Sequence, residues 1–359
     1  MTLVATTMAD ARTASRLLPA TLTRGRWLST IAALTGVSLV TLLICLQIGL
    51  ERIGLADLMA MVMRLVRQEA APDGAATAQL IVVHIRLPRI LLGFLVGGCL
   101  AAVGVGLQAL LRNPLADPYV LGISSGASVG AAIAVVLHLV PAVVPVCAFG
   151  GGLLVLLVLY RLAVSCGPLA VHTLLLGGVI VSALCSALIM FVTSLVDPAR
   201  AFQIIAWLMG TLSAPDYATM GWLALCLALG LGLLFRHAHA LNLLTTGEES
   251  ARSMGVDVER VKRQVFVVTA LLVGVVVSVS GLIGFVGMVV PHAVRMVVGA
   301  DHRLLLPAAG LVGGALLVVA DTVARVILLP AELPVGIVTA LIGAPVFLYL
   351  LMTRKGGLA

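Results

Sequence analysis

LNLLTTGEESARSMGVDVERVKR, Leu241 to Arg263, is the longest strongly polar interruption between Arg86 and the C-terminus. Apolar runs of span length flank it on both sides, so it lies at a membrane face and the chain around it is built for lipid. Its residues point to local order. Thr246 and Glu249 have capping-box spacing, in which the Thr hydroxyl serves the Glu amide and the Glu reaches back. Gly255 offers a helix stop, and Asp257 a cap for a second short helix. Two short helices at an angle form a knob, which is either a solvated interhelical loop or a docking element for a cytoplasmic partner.

The composition bounds the class. The 359 residues are 61% hydrophobic and 10% charged, and the mean hydropathy is +1.20, whereas soluble domains carry about 25% charged residues. This is the profile of a polytopic, all-α membrane protein with lipid as its surroundings, and it gives no reason to expect a nucleic-acid partner. Cys45, Cys99, Cys147, Cys166, Cys185 and Cys226 lie in or beside apolar runs without C-x-x-C spacing. They are packing residues rather than a disulfide framework or a metal site. Residues 1–26 are polar, with Arg12, Arg16, Arg24 and Arg26. The apolar run that follows is too long for a signal-peptide core and lacks a small-residue cleavage site, so it is expected to be a retained first span. One membrane domain is expected over 27–355, containing the 241–263 knob, with a tail at 356–359.

A span needs roughly 20 apolar residues, which places helices near 27–50, 90–110, 119–139, 142–163, 173–196, 214–235, 264–286, 304–323 and 335–352. A tenth, shorter element is expected at 288–299, with Pro291 in its first turn. Ten crossings put both termini on one side. Lysine and arginine concentrate in cytoplasmic loops, and with the termini inside, 15 of the 22 cationic residues are cytoplasmic, as is the knob. The other seven, Arg52, Arg64, Arg67, Arg86, Arg89, Arg200 and Arg325, are all arginine. Arginine pairs bidentately with carboxylates, so an outward surface that receives an acidic partner is expected. For Arg52, Arg64, Arg67 and Arg200, snorkelling to headgroups is the favoured reading. Arg86 and Arg89 differ, because Pro88 between them fixes the backbone just before a helix begins.

The 37 glycines cluster at 93–98, 104–106, 122–130, 281–287 and 310–314, which suits close helix packing. The stretches 93–130 and 274–314, each broken at a proline-containing joint, hint at an internal repeat of opposite orientation.

Several chemistries are missing. No G-x-x-x-x-G-K-[ST] phosphate loop exists, since Lys262 and Lys355 follow residues other than glycine. His237 and His239 are too close to mimic H-E-x-x-H. A gradient-driven carrier needs ionisable groups inside the bilayer, but Asp117, Asp197, Asp216 and Asp301 fall at helix ends. Asp321 lies within a span, four residues before Arg325, a spacing that pairs the two. Energy must therefore reach the chain from elsewhere, and the knob is the place to receive it. The alternative, a secondary transporter or channel working without an ATPase partner, would need those missing carboxylates.

The segments IRLPR (85–89), LLRNPLADP (110–118), LGISSGASVG (121–130), TGEESARSMGV (246–256), GFVGMVVPH (284–292), ADHRLLLP (300–307) and AELPVGIVTALIGAPVFLYLL (331–351) resemble the membrane permeases of ABC importers for iron–siderophore complexes, haem and vitamin B12. The resemblance implies a transport subunit, not an enzyme, in a bacterial inner membrane. It further implies a homodimer of ten-helix subunits, two ATPase subunits beneath it that hold ATP and Mg, a periplasmic binding protein above, and a path between the two copies. This chain itself would hold no cofactor. By resemblance, Arg86, Arg89 and Arg325 would receive glutamates of the binding protein. Thr246, Gly247, Glu248, Glu249, Ser250, Ala251, Arg252 and Gly255 would form the coupling helix in the ATPase cleft. Asn113 and Leu115 match one inner-gate segment. At the other gate position, where the vitamin B12 permease carries small hydroxyl residues, this sequence has Val171 and His172. His172 could meet haem iron, since neutral imidazole ligates metals, or be a capped or solvated helix end.

Overall fold

Lipid offers no hydrogen bonds, so an apolar run must satisfy its own backbone, and the helix does this within one segment. The structure, a computed structural model, describes residues 22–353 apart from 50, 52, 68–72, 166–170 and 214–215. Arg12, Arg16, Arg52, Arg354, Lys355, Cys166, the 356–359 tail and most of the 1–26 segment lie outside the described residues.

Every regular element among the described residues is helical. α1 (Arg24–Gln47) precedes two short helices, α2 (Leu55–Arg67) and α3 (Asp73–Leu80). α3 runs through a π-helical turn (Ile81–Arg86) into α4 (Leu87–Leu110), and a 3₁₀ turn at Pro118–Leu121 leads into α5 (Ile123–Val136). Next come α6 (Val144–Ser165), α7 (Val171–Leu195), the short α8 (Pro198–Leu208) and α9 (Tyr217–Arg236). Two short helices follow, α10 (Ala238–Thr245) and α11 (Glu248–Ser253). α12 (Val258–Ser280), α13 (Val286–Val298), α14 (His302–Val326) and α15 (Val335–Thr353) close the series. Among the described residues, seven helical stretches are long and apolar enough to cross a membrane, and Ile123–Val136, Val286–Val298 and Val335–Tyr349 are shorter apolar helices. The protein is a multi-pass, all-α membrane protein. The cysteines described are unpaired.

α4 is the axis of the bundle. Each of its residues from Val96 to Leu110 is buried, with α14, α12, α13 and α9 packed around it. Such burial demands backbones in near contact, and the sequence supplies small residues at the crossings. A Cβ on Gly98 would stand 2.9 Å from the Gly310 carbonyl oxygen. One on Gly313 would collide with Ala101 Cβ, and one on Gly287 would lie 2.6 Å from Pro118. The glycine-rich stretches 93–130 and 274–314 thus pack against each other. Each contains a short helix that starts after a positive-φ residue, Gly122 at 72° before α5 and Phe285 at 68° before α13. The Tyr119 hydroxyl ties the two joints together, donating to the Ile283 carbonyl at 2.9 Å and accepting from the Ile283 amide at 2.7 Å.

Three expectations are corrected. Pro88 does not stand before a helix, because the helix is continuous over Ala76–Leu110. The missing N–H of Pro88 is absorbed by the π turn, where the Leu87 amide bonds back to Val82. The span expected at 264–286 is displaced to Val258–Ser280. Asp257 accepts the Arg260 amide at 3.1 Å and starts the helix on polar residues, while Gly281 at φ 67° stops it and the Ser280 carbonyl bonds the Thr211 amide at 2.9 Å. Pro291 lies inside α13 rather than in its first turn. Amphipathic α2 and α8 were not foreseen, being too short and too polar for a span ruler.

If the glycine crossing organises the bundle, Gly98→Val should cost about 1–3 kcal/mol, as overpacking does, and lower the thermal midpoint of the purified chain. Gly36→Ala, where a Cβ meets nothing within 4 Å, should leave the midpoint unchanged.

Candidate functional site

At one end of α14 an arginine cluster surrounds a buried carboxylate. α14 is helical through Asp321 and Arg325, so the two share a face, and Arg325 Nε donates to Asp321 Oδ2 at 3.1 Å. Arg89, one turn into α4, grips the same carboxylate, with Nε 3.0 Å and Nη2 2.9 Å from Oδ1. Its Nη1 reaches Glu332 Oε2 at 2.7 Å. Asp321 is only 2% exposed, and two guanidiniums offset the desolvation of its charge, which alone would be costly. Arg86 turns inward instead, donating to the carbonyls of Leu46 at 3.3 Å and Glu51 at 2.5 Å.

The expectation of three outward guanidiniums is therefore corrected for their geometry. Arg86 and Arg325 are buried, and Arg89, with its side chain 17% exposed, already has two carboxylate partners. Asp321, buried between α4 and α14, draws in Arg89 and Arg325, and the carbonyls of Leu46 and Glu51 draw in Arg86. Glu332, half exposed at 54%, was missed. It stands beyond α14, and no local spacing ties it to Arg89.

The knob occupies the opposite end. Its two short helices are α10 and α11, not a pair divided at Gly255. The capping box between Thr246 and Glu249 does not form, because the Thr246 hydroxyl donates to the Leu243 carbonyl at 2.8 Å and ends α10. Gly247 takes the N-cap of α11 at φ 127°, a conformation that suits glycine. Gly255 does stop the helix, at φ 84°. Its amide bonds Arg252 O and that of Val256 bonds Ala251 O, both at 3.0 Å, the Schellman pattern. Asp257 caps the long α12 rather than a short helix.

α11 is held onto α12 by charges. Lys262 Nζ lies 3.2 Å from Glu248 and 3.0 Å from Glu259, and Arg252 lies 3.3 Å from Glu248. Ala251 is buried against the bundle, whereas Glu249, Ser250, Arg252 and Met254 face outward. The result is a rigid projection with a mixed polar and apolar face.

One helix links the two ends. Asn242 on α10 donates to Asp301 Oδ1 at 2.8 Å and accepts the His302 amide at 2.8 Å. Asp301 also caps α14 through the Arg303 amide at 3.0 Å. From His302 to Arg325 the helix runs roughly 35 Å at 1.5 Å per residue. The clamp joins positions 59 residues apart and was not legible locally, since Asp301 read only as an acidic helix end.

Asn113 and Leu115 lie in the joint between α4 and the 3₁₀ turn. Asn113 Oδ1 accepts the Leu115 amide at 2.9 Å, folding the joint on itself, and Leu115 is exposed. Val171 opens α7 and its side chain lies outside the described residues. His172 is exposed in the first turn of α7. Farther along α7, Gly178 packs against Val120 and Leu121 of the 3₁₀ turn, so the two segments flank one contact, with no hydrogen bond between them among the described residues.

Residues 37–353 match the FecCD transport family. The chain is 47% identical over 281 residues to the cobalamin import system permease protein BtuC of Halobacterium salinarum, covering 78% of this chain and 75% of that protein. It is 44% identical over 281 residues to the hemin transport system permease protein HmuU of Yersinia pestis, covering 76% and 83%. A solved ABC transporter described as of metal-chelate type, in an inward-facing conformation, superposes with a TM-score of 0.79 at 31% identity, over 90% of this chain and 98% of that one.

The Asn242 clamp predicts a rescue. Asn242→Asp sets two carboxylates face to face and should cost about 1–3 kcal/mol, read as a lower thermal midpoint. Adding Asp301→Asn exchanges donor and acceptor, keeps an N-cap residue, and should restore most of the loss.

Proposed function

This chain belongs to the FecCD transport family and is a membrane permease of an ATP-binding-cassette importer, not an enzyme, and we propose that its cargo is a metal-centred macrocycle, cobalamin or haem. The family implies an ATPase and a binding-protein partner. In this proposal two copies of the chain lie in a bacterial inner membrane with both termini cytoplasmic. Two ATPase subunits bind the α10–α11 projection, and a periplasmic binding protein meets the Arg89 end. The observation that carries the reading is the placement of these two polar clusters at opposite ends of α14, one clamped by Asn242 and the other by Asp321. A movement imposed on the projection would reach α14 through the Asn242 clamp on α10 and α12 through the Lys262 ion pairs of α11.

Charge also suits the outer end. A binding-protein glutamate approaching Arg89 would replace or join Glu332, the exposed member of the cluster, while Asp321 keeps Arg89 and Arg325 aimed. Arg86 supports the same corner through the carbonyls of Leu46 and Glu51. Asn113, Leu115, Val171 and His172 are proposed to form the inner gate. The choice of cobalamin or haem over a siderophore is supported by the cargo in the names of the two relatives, at 47% and 44% identity. His172 is an exposed imidazole that would favour haem of the two.

The test is uptake into vesicles that contain the chain with its ATPase partner and binding protein, supplied in turn with cobalamin, haem and a ferric siderophore. ATP-dependent entry of cobalamin or haem, at least about tenfold above the siderophore, is expected. Glu249→Arg or Gly255→Pro should reduce uptake by a similar factor while ATP hydrolysis continues. Equal uptake without the ATPase would instead establish a secondary transporter.

A further inference from the structure

α1 packs mainly along α14, with little contact to α4, and between α1 and α9 it leaves a groove. Small residues of α4 and α14, among them Gly98, Ala102 and Gly310, line the floor beside Phe94, Leu95 and Leu306, and the space is about 550 Å³. Phe235 also lines a second space of about 620 Å³, so the two adjoin at that residue. This second space lies at the α10 end, where Arg24, Arg236 and Arg303 converge. Both volumes fall in the range of ligand pockets, ~300–1,000 Å³.

Three features point to one occupant. No Asp or Glu lines either space, and neither Arg24 nor Arg236 has a carboxylate partner among the described residues. Arg303 is turned toward the mouth by His239, 2.9 Å from its Nη2. Trp27 donates its indole N–H to the Arg303 carbonyl at 3.0 Å, placing an amphipathic ring where a headgroup meets hydrocarbon. Single arginines at span ends are ordinary snorkelling. Three that converge on the mouth of an apolar groove, with no compensating acid among the described residues, make a site of opposite charge to a lipid phosphate.

We propose that this groove binds one anionic phospholipid, with its phosphate on Arg24, Arg236 and Arg303 and an acyl chain along α9 over the small residues of α4. The lipid fills the seam that protein packing leaves between α1 and α9 and attaches α1 to the bundle.

Native mass spectrometry of the purified full chain tests this, with phosphatidylglycerol and phosphatidylcholine of the same acyl chains added after delipidation. One phosphatidylglycerol should be retained about tenfold or more over phosphatidylcholine, in line with the attraction of several arginines for an anionic headgroup. Combined Arg24→Gln, Arg236→Gln and Arg303→Gln should abolish that preference. Gly232→Phe fills the groove from a position where a Cβ meets nothing within 4 Å, and it should remove the bound lipid while leaving the thermal midpoint of the delipidated chain unchanged. Equal retention of the two lipids, retention unchanged by Gly232→Phe, or displacement of the lipid by inorganic phosphate would overturn the proposal. So would efficient cross-linking between copies bearing Gly232→Cys in native membranes, because a second copy would then occupy the groove.

Discussion

The bundle depends on how closely α4 and α14 approach. In lipid no hydrophobic drive holds one helix against another, so association rests on van der Waals packing and on a few polar contacts. Gly98 against Gly310, and Gly313 against Ala101, bring the two backbones together. That closeness buries α4 along most of its length, and the other helices take their positions around it. It also brings Arg89 of α4 within reach of Asp321 of α14, so the arginine cluster follows from the same crossing.

The joints are the second constraint. α5 and α13 each begin at a break in the backbone, and broken helices at membrane depth survive only where their free polar groups find partners. The Tyr119 hydroxyl serves both the amide and the carbonyl of Ile283, and Thr211 serves Ser280. One side chain thereby couples the joint that precedes α5 to the joint that precedes α13. The turn at Asn113–Leu115 lies a few residues from Tyr119, on the same joint. α14 is bonded to Asn242 near one end and to Arg89 near the other, so a single helix joins the projection to the arginine cluster.

Lipid is the third participant. The α1–α9 groove is apolar within and cationic at its mouth, and α1 has few protein neighbours besides α14. A bound anionic lipid would make the position of α1 depend on membrane composition. The permease would then be sensitive to its bilayer at the α1–α9 seam.

Much of this was legible in the residues. A charged fraction of 10% and apolar runs of span length determine an all-helical membrane protein, because hydrocarbon admits no unsatisfied backbone. The polar interruption at 241–263 had to lie at a face, and Gly255, Asp257 and the Asp321–Arg325 spacing act through neighbours within a turn, where sequence is informative. The failed capping box at Thr246 was decided by one residue of register, since Gly247 could adopt φ 127° and release the Thr hydroxyl to α10. Which partners Arg86 and Arg89 would choose, the pairing of Asn242 with Asp301, the role of Tyr119 and the groove beside α1 were decided only by tertiary structure. Each joins groups from helices far apart in the chain, and only packing determines which side chains, or which empty spaces, meet.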